Sequence, residues 1–347
     1  MLAEVIDAVI GIDTHRDTHE VEIADAAGKP ITTMRVGNDS GGFAQLLAAI
    51  ANVVPGRRVA VCIEGTRSYG IGLARALAAA GLLVLECEQP RRKQRRGKGK
   101  SDPIDAHLAV LAALRLETDR LPVPRADGDR EALRILLVAR EEITVACNAQ
   151  GGRLRALLLA GDDTDRQAAR RTLSKTALAA LAGRELPAQA SREQGVRQAE
   201  IRRLAQALTA ARHQLTGNRA QLLAIVDDIA PGLTSRYGVG PVSAAQAIVS
   251  FSHPGRCRSE AAFAALGGTS PIPASSGQTV RHRLNRGGDR ALNRAIHAIA
   301  LVRMRSCPRT RAYIARRTAE GKTRTEIMRC LKRCIAREVF PLLVTTQ

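Results

Sequence analysis

The order of short apolar runs in the N-terminal third of the chain restricts the fold more than any other feature. Five runs are short, rich in β-branched residues and bounded by turn-forming residues, as β-strands are. Three segments between or after them repeat their apolar residues at helical spacing. The predicted strands are 5–12, 19–25, 31–36, 58–63 and 82–87, and the predicted helices are 41–52, 70–80 and a segment that starts at Ser101. This region is therefore expected to be α/β.

The predicted order is βββαβαβα, with hairpins first and crossovers afterwards. Hairpins join antiparallel neighbours, whereas a strand–helix–strand crossover joins parallel ones. A mixed sheet with helices packed on it follows from this order. The layout matches ribonuclease-H-like domains, and we predict such a domain for residues 1–125.

Residues 130–160 and 190–228 are polar and helical in pattern. In each stretch one face steps by alternating threes and fours, which is the a/d spacing of a heptad repeat. The seam positions are Leu133, Leu136, Arg140, Ile143, Cys147, Gln150, Leu154 and Leu157, and then Ile201, Leu204, Leu208, Ala211, Leu215, Asn218, Leu222 and Ile225. We predict a central helical coiled-coil hairpin over residues 126–228, with residues 161–190 at its tip. The hairpin packs on itself or serves oligomerisation, and the pattern does not choose between these.

Residues 229–347 have a different character, and we predict a mostly helical C-terminal domain. A glycine turn at 237–240 enters a predicted helix, where backbone amides can hold a phosphate or simply begin the helix. A loop rich in Gly, Pro and Ser follows at 267–277. After Asp289 the tail contains fourteen basic and three acidic residues, so it reads as a basic helical module.

The charge of the chain indicates a polyanionic partner. It has 53 Lys and Arg against 33 Asp and Glu, a net charge of +20, and a pI near 10.9. Residues 1–90 contain eleven acidic and seven basic side chains, a net charge of −4, so the remainder carries +24. Such an imbalance points to nucleic acid or an anionic surface, and a generally basic proteome is the plain alternative. Because aromatic residues are only 2%, contacts to the nucleic-acid backbone should outweigh base stacking.

The sequence predicts a cytoplasmic, nucleoid-associated protein. We find no apolar run of about 18 residues, as a membrane-spanning helix requires, and no secretory signal pattern. The seven cysteines form no C-x-x-C pair, so reduced thiols are expected rather than a zinc site.

Four carboxylates occupy the ends of predicted strands and the start of a predicted helix. Asp13 and Glu64 follow apolar runs, while Asp102 and Asp105 are three residues apart and face the same way on a helix. Such oxygen ligands suit Mg²⁺ or Mn²⁺. Two such ions about 3.5–4 Å apart can activate a nucleophile and stabilise the leaving oxygen of a phosphodiester. Turn capping by Asp13, and helix capping by Asp102 with a dipole role for Asp105, are the structural alternatives.

A strongly basic run directly precedes this pair of aspartates. Its members are Arg91, Arg92, Lys93, Arg95, Arg96, Lys98 and Lys100. We predict that the run holds a nucleic-acid strand, with strongly salt-dependent affinity. A solvated loop or a patch of the nuclear-localisation type is the alternative.

Ser276 is a second candidate centre, because Arg281, Arg283 and Arg286 follow it closely. A serine beside guanidinium groups can attack phosphorus, since those groups stabilise the developing charge. The three arginines are also predicted to bind nucleic acid. Ser-Ser-Gly is otherwise a common flexible loop, and composition alone favours that interpretation.

In combination these motifs resemble the DEDD transposases of bacterial insertion sequences, the bridge-RNA-guided serine recombinases. The motifs are Gly11-Ile12-Asp13 with His15, Glu64-Gly65-Thr66, Lys100-Ser101-Asp102-Pro103-Ile104-Asp105-Ala106, Gly-x-x-Pro-x-x-x-Ser-Ser-Gly at 268–277, and Asn285-Arg286-Gly287-Gly288-Asp289. The resemblance covers nearly the whole chain.

The resemblance implies a RuvC-like catalytic domain at 1–125, a coiled-coil middle at 126–228 and a transposase domain at 229–347. It implies that the four carboxylates bind the metal, and that Ser276 is the nucleophile of a covalent phosphoserine link to DNA. The adjacent Ser275 leaves an ambiguity of one residue. The implied partners are donor DNA, target DNA and a structured non-coding RNA that pairs with both, and the implied assembly is a dimer or a tetramer.

Three other functions are compatible with parts of the pattern. A junction-resolving endonuclease would use the same carboxylates without a covalent step. An actin-like or sugar-kinase ATPase also has Gly-Ile-Asp at its first strand, but the second glycine-rich phosphate-binding domain that it needs does not follow. A purely architectural nucleic-acid binder would tolerate Asp13→Asn.

Overall fold

The chain divides into two compact units. A computed structural model describes residues 1–87, 102–125, 127–185, 189–253, 255–273, 282–283 and 285–345. The first unit comprises Met1–Ala132 and Ile248–Ala265, and the second comprises Leu133–Ala247 and Leu266–Gln347. The chain therefore passes between the units three times. The domain boundaries at 125/126 and 228/229 stay predictions.

A mixed five-stranded sheet is the centre of the first unit. Its strands are β1 (Ala8–Thr14), β2 (Thr18–Asp25), β3 (Pro30–Gly37), β4 (Val59–Glu64) and β5 (Leu83–Cys87). Its helices are α1 (Ser40–Val53), α2 (Ile71–Ala79) and α3 (Asp102–Leu114). The spatial order is β3-β2-β1-β4-β5, with β1–β2 and β2–β3 antiparallel and β1–β4 and β4–β5 parallel. The predicted order and the α/β class are confirmed, and the arrangement is compatible with a ribonuclease-H-like domain.

The two faces of the sheet are covered by different helices. Successive strand residues point to opposite faces, so each strand supplies both layers. On one face Ile10 and Ile63 pack with residues of α1 and α2. On the other face Val9 and Cys62 pack with Val110 of α3. Full burial of an aliphatic side chain stabilises the fold by about 1.5–3 kcal/mol, so these two layers hold the helices on the sheet.

The first strand lies further along the chain than the predicted range of 5–12. Val5 is exposed, and the residues before it form a short 3₁₀ helix, Leu2–Glu4. β1 continues to Thr14 because its antiparallel ladder with β2 reaches the pair Thr14 and His19. Asp13 is therefore held inside the strand rather than after it.

The remaining helices, in chain order, are α4 (Gly128–Leu159), α5 (Asp163–Arg170), α6 (Lys175–Gly183), α7 (Arg192–Ile229), α8 (Pro241–Phe251), α9 (Glu260–Leu266), α10 (Arg290–Ser306), α11 (Pro308–Ala319) and α12 (Arg324–Val344). They include both predicted central helices. Among the described residues no helix is both long enough and apolar enough to cross a membrane.

The long helices α4 and α7 run side by side in opposite directions within the second unit. Asn218 Nδ2 donates to the carbonyl oxygen of Leu136 at 2.8 Å, and Arg140 Nη1 donates to that of Leu215 at 3.0 Å. Further along α4, Leu154 packs in one cluster with Leu204, which lies earlier in α7. Later residues of α4 thus contact earlier residues of α7, so the two helices are antiparallel. The coiled-coil character of this pair stays a prediction.

Helices α5 and α6 lie in the segment predicted as the tip. Leu173 and Leu178 of this segment are buried against Leu158 and Ile201 of the long helices. The segment is therefore packed on the helical pair through an apolar core of its own.

Candidate active site

Two of the predicted carboxylates emerge at one edge of the sheet. In the parallel pair β1–β4, Ile12 lies beside Ile63, so Asp13 and Glu64 each lie one residue further on. Both therefore point to the face that α3 covers. Asp13 is only 7% exposed, and Glu64 is half-buried. Thr14 Oγ1 donates to the carbonyl oxygen of Glu64 at 2.7 Å and joins the two strand ends.

A glycine lets the chain turn immediately after Glu64. Gly65 has φ +75°, and a Cβ at this position would lie 2.7 Å from Thr14 Oγ1. The left-handed backbone and the close hydroxyl together require glycine here. Glu64 thus presents its carboxylate at the end of β4, and Gly65 turns the chain away from this carboxylate.

Helix α3 brings its N-terminus to the same edge. A Cβ on Gly11 would overlap the carbonyl oxygen of Ala106 and would lie 2.7 Å from Val110 Cγ2, so α3 lies directly on β1. At the far end of α3, Leu114 lies close to Gly28 in the β2–β3 turn. Since that turn adjoins the start of β1, α3 runs opposite to β1. Its first turn therefore lies toward Asp13.

This orientation places the second predicted pair near the first. Asp105 lies in the first turn of α3 and is 8% exposed. Asp102 is the first residue of the helix, and its side chain lies outside the described residues. Three of the four predicted carboxylates are thus buried or half-buried on one face, at one edge of the sheet.

Strand β2 adds two acidic residues that the sequence analysis did not single out. Glu20 is the cross-strand partner of Asp13, and Glu22 is the partner of Gly11. Both glutamates are buried on the face that α3 covers. The alternation of acidic residues with Val21 and Ile23 was a signal for one shared face. Such alternation is typical of a strand with one solvent-facing side, whereas α3 covers that side here.

Three of the carboxylates on this face, those of Asp13, Glu20 and Glu22, have a basic neighbour. Asp13 Oδ2 lies 3.3 Å from His15 Nε2, and Glu22 Oε1 lies 2.6 Å from His107 Nδ1. Glu20 forms an ion pair with Arg35. A buried carboxylate is costly unless it is paired, so these neighbours allow several acidic groups to share one face.

The donor chemistry of the edge fits a hard divalent cation. Carboxylate oxygens are the ligands that Mg²⁺ prefers, and Asp13 and Asp105 are already largely removed from bulk water. Within the described part of the chain, no three side chains of the His, Cys, Asp or Glu type are close enough to hold a metal ion. The side chain of Asp102, the fourth predicted carboxylate, is not among the described ones. The complete quartet therefore stays a prediction.

Most of the predicted nucleic-acid contacts also lie outside the described residues. This applies to the basic run Arg91, Arg92, Lys93, Arg95, Arg96, Lys98 and Lys100, and to Ser275, Ser276 and Arg281. Arg283 and Arg286 are described and exposed. Their predicted binding role stays a prediction.

The residues that flank the predicted loop around Ser276 are described. β6 (Ile272–Pro273) pairs antiparallel with β7 (His282–Arg283), so Ser276 lies in the connection between two paired strands. Before β6, Gly268 has φ +61°, and a Cβ there would lie 2.7 Å from the carbonyl oxygen of Gly287. Two glycine-containing segments therefore approach each other closely at the base of this loop.

Side chains from α10 and α12 fix the base of the loop. Asn293 Nδ2 donates to the carbonyl oxygen of Gly267 at 2.6 Å, and Lys332 Nζ donates to Asn293 Oδ1 at 2.6 Å. Burial, and then the nearby charge of Arg290, lower the pKa of Lys332. The signal in the sequence was weak, because these partners are far apart along the chain.

Two sequence families match the chain. Residues 10–160 match the IS110-type DEDD domain family, described as a transposase. Residues 230–315 match the transposase IS116/IS110/IS902 family. The first match includes all four predicted carboxylates, and the second includes Ser276.

Two relatives from bacterial insertion elements are also similar. The 43.6 kDa protein of insertion element IS110 from Streptomyces coelicolor is 34% identical over 143 residues, which cover 40% of this chain and 35% of that protein. The 42 kDa protein of insertion element IS900 from Mycobacterium paratuberculosis is 25% identical over 378 residues, covering 93% of this chain and 92% of that protein. Together with the two family matches, these similarities support a DEDD-type insertion-sequence transposase.

Proposed function

We propose that this transposase cuts and rejoins donor and target DNA under the guidance of a structured non-coding RNA. The observation that carries the proposal is the convergence of Asp13, Glu64 and the first turn of α3 at one sheet edge. It is supported by a chain that carries both the DEDD and the C-terminal transposase matches. The excess of basic residues after residue 90 supplies charge for two polyanions.

The carboxylates Asp13, Glu64, Asp102 and Asp105 would hold Mg²⁺ or Mn²⁺. When bound, such an ion polarises phosphate oxygens and neutralises their charge. The protein's own contribution is the rigid placement of the ligands. Strand ladders fix Asp13 and Glu64, and the contact of α3 with Gly11 fixes the helix that carries the two aspartates.

Ser276 would supply the nucleophile. Its oxygen attacks phosphorus and loses its proton, a phosphoserine ester forms, and the sugar oxygen of the cut strand leaves as a hydroxyl. A hydroxyl of a second strand then attacks the ester, which releases the serine and joins the two strands. Arg281, Arg283 and Arg286 would stabilise the charge that develops on the phosphate oxygens.

The partners and the assembly belong to the same proposal. Guide RNA would read the DNA sequences by base pairing, which accords with a chain that has 2% aromatic residues and no tryptophan. The basic run 91–100 would grip the backbone of DNA or of the guide RNA. The antiparallel pair α4–α7 would form a coiled-coil hairpin that supports a dimer or a tetramer.

Recombination of donor and target plasmids in the presence of the guide RNA tests the metal site. Asp13→Asn keeps the size of the side chain and removes the charge, and it is expected to abolish recombination. Asp17→Asn is the matched control, because Asp17 is exposed and pairs with Arg16 in the turn just after β1. Full activity of Asp13→Asn would leave an architectural nucleic-acid binder as the better description.

Trapping of protein–DNA adducts tests the serine. Ser276→Ala should lose both the adduct and recombination, whereas Ser275→Ala should retain both. Adducts that persist in Ser276→Ala with Ser275 intact would reassign the nucleophile. Strand cleavage without any adduct in the unaltered protein would favour the junction-resolving endonuclease. ATP hydrolysis without cleavage would favour the kinase-like alternative.

A further inference from the structure

An arginine cluster lies at the C-terminal end of β5 in the first unit. It consists of Arg67, Arg125, Arg130 and Arg256, which come from three separate segments of the chain. We call the sheet edge that carries Asp13, Glu64 and Asp105 the carboxylate edge. None of the four arginines belongs to this edge or to the basic run 91–100. Guanidinium groups repel one another, so their gathering calls for a physical reason.

One carboxylate at the centre accounts for part of the charge. Glu86 is 9% exposed and accepts hydrogen bonds from both Nε and Nη2 of Arg125, the first at 2.8 Å. Arg67 Nε lies 3.5 Å from the same carboxylate. Burial by itself raises the pKa of Glu86, and the hydrogen bond and charge of Arg125 outweigh that effect and lower it. Arg125 alone donates a hydrogen bond to each carboxylate oxygen of Glu86. Arg67 is therefore a second cation beside the same carboxylate.

Arg130 is a buried cation with little compensation. Its Nη1 and Nη2 donate to the carbonyl oxygens of Arg125 and Val249, the second at 3.0 Å. Its Nε is buried and has no hydrogen-bond partner among the described residues. Its ion pair with Glu131 is long, with 4.0 Å between Nη1 and Oε2. Burial, and then the charges of Arg125 and Arg256, lower the pKa of Arg130 to about 10.

The returning segment at the end of α8 closes the cluster. Arg256 Nη1 donates to the carbonyl oxygen of Ser250 at 2.7 Å, which fixes its guanidinium beside the others. Ser252 has φ +73° and its hydroxyl lies 3.1 Å from His253 Nδ1. This is the one left-handed residue other than glycine in the described part of the chain. Burial, and then the charges of Arg125 and Arg256, lower the pKa of His253.

Among the described residues, the four guanidinium groups of the cluster have two acidic neighbours, Glu86 and Glu131, which leaves an excess of two positive charges. Arg67 and Arg256 are exposed, whereas Arg125 and Arg130 are largely buried. We propose that this arginine cluster is a binding site for a phosphodiester of a polynucleotide strand. A phosphodiester supplies the missing negative charge, and its two free oxygens match the paired N–H groups of a guanidinium.

The position of the arginine cluster supports a polynucleotide strand that passes the carboxylate edge. In the parallel pair β4–β5, Glu86 lies beside Ile63, and Cys87 lies beside Glu64. Neighbouring strands are about 4.8 Å apart, so the cluster and Glu64 share one edge of the sheet. They occupy its opposite faces, because Glu86 is in register with a residue of the α1–α2 layer. The inference rests on the proposed function in that the ligand is a nucleic acid.

Binding of labelled polynucleotides to the full-length chain tests the inference. Fluorescein-labelled single-stranded DNA, duplex DNA and RNA of one sequence are titrated across a salt series, with fluorescence anisotropy as the readout. Arg67→Ala is the main variant, because this side chain is 52% exposed and Glu86 keeps its pair with Arg125. Each neutralised phosphate contributes about 0.7 to 0.9 to the slope of log affinity against log salt. We expect Arg67→Ala to lower the slope by about that amount and the affinity by roughly three- to tenfold.

The double variant Arg67→Ala with Arg256→Ala should lower the slope by about twice as much. Arg57→Ala is the matched control: it removes an exposed arginine at the start of β4, the opposite edge of the sheet, and should change neither quantity. Thermal unfolding verifies that each variant is folded. A loss confined to the DNA probes assigns the site to DNA, and a loss confined to RNA assigns it to RNA.

Two results would overturn the inference alone. In the first, both arginine-cluster variants bind all probes with unchanged affinity and slope. In the second, Arg57→Ala loses as much as Arg67→Ala, which would reduce the effect to net charge. Failure of the unaltered protein to bind any probe would overturn the proposed function together with this inference.

Discussion

The carboxylate edge of the first unit and the loop base of the second unit are held in place by different kinds of contact. The loop base comprises the segments around Gly268 and Gly287 with the side chains of Asn293 and Lys332. At the carboxylate edge, regular strands and one helix direct each side chain, and Gly11 lets α3 lie on β1. At the loop base the backbone is irregular, and Gly268 lets one turn meet the carbonyl oxygen of Gly287. Regular elements position groups through repeated hydrogen bonds. The loop base depends instead on single contacts such as that of Asn293 with Gly267.

The two regions also differ in charge. The carboxylate edge gathers acidic groups that have basic neighbours, as Glu22 has His107. The loop base gathers cations, and Lys332 lies near enough to Arg290 for its pKa to be lowered, after burial, by that charge. The carboxylate edge of the first unit is therefore rich in acidic side chains, whereas the loop base of the second unit is rich in basic ones.

The largest effect is expected from adding a methyl group at the carboxylate edge. Gly11→Ala would force the new Cβ into the carbonyl oxygen of Ala106, which is backbone and cannot rotate away. We expect the free energy of unfolding of the first unit to fall by about 3 kcal/mol or more, measured by urea denaturation. Gly152→Ala is the control, because nothing lies within 4 Å of its Cβ on α4. It should stabilise its helix by about 0.5–1 kcal/mol.

The corresponding change at the loop base should have a smaller effect. Gly268→Ala combines a left-handed φ of +61° with a contact of 2.7 Å to the carbonyl oxygen of Gly287, and we expect a loss of about 2 kcal/mol. Gly321→Ala has φ +77° with nothing within 4 Å, so it should cost about 1 kcal/mol by strain alone. Equal losses of unfolding free energy in the two variants would show that the contact with the carbonyl oxygen of Gly287 does not constrain residue 268.

Removal of one side chain tests whether single contacts hold the loop base. Asn293→Ala leaves the carbonyl oxygen of Gly267 and the ammonium of Lys332 without this partner. We expect unfolding of the second unit to become easier by about 1.5 kcal/mol, from chemical denaturation curves. Asn148→Ala is the matched control, because Asn148 is exposed on α4. A loss in Asn293→Ala no larger than in this control would contradict the role of the contact.

The smallest effect concerns acid sensitivity in the first unit. Burial and neighbouring arginines depress the pKa of His253 in the folded protein. The folded state therefore favours the neutral ring, and its contribution to stability is complete above pH 6.5 and is lost as pH falls below that value. His253→Gln should make the first unit less sensitive to a change from neutral to mildly acidic pH, measured by its melting temperature. An unchanged pH dependence in that variant would argue against the crowding of positive charge around this ring.

The sequence predicted the regular parts of the fold because periodicity encodes them. Short apolar runs bounded by turn-forming residues located all five strands of the sheet, and the a/d steps located α4 and α7. Strand ends also indicated Asp13 and Glu64, since parallel neighbours finish at one edge. The limits of β1 differed most, because its pairing with β2 rather than its own composition sets them, and the limits of the other four strands differed by one residue.

The parts that the sequence did not reveal depend on tertiary contacts. Glu20 and Glu22 resemble the outer face of a strand, and only the packing of α3 makes that face a buried one. The arginine cluster combines segments as distant as Arg67 and Arg256, and no local spacing marks such a set. The same holds for Lys332 and Asn293, which meet across two helices.

The three passages of the chain between the units have a consequence for biosynthesis. The first unit needs Ile248–Ala265, which follows the long insertion of residues 133–247. During synthesis domains generally fold from the N-terminus onward. Here the sheet can form early, but the segment that supplies Arg256 arrives only after both long helices have been made. A fragment that ends near residue 132 would lack this segment, so the first unit cannot be obtained whole by truncation at a single site.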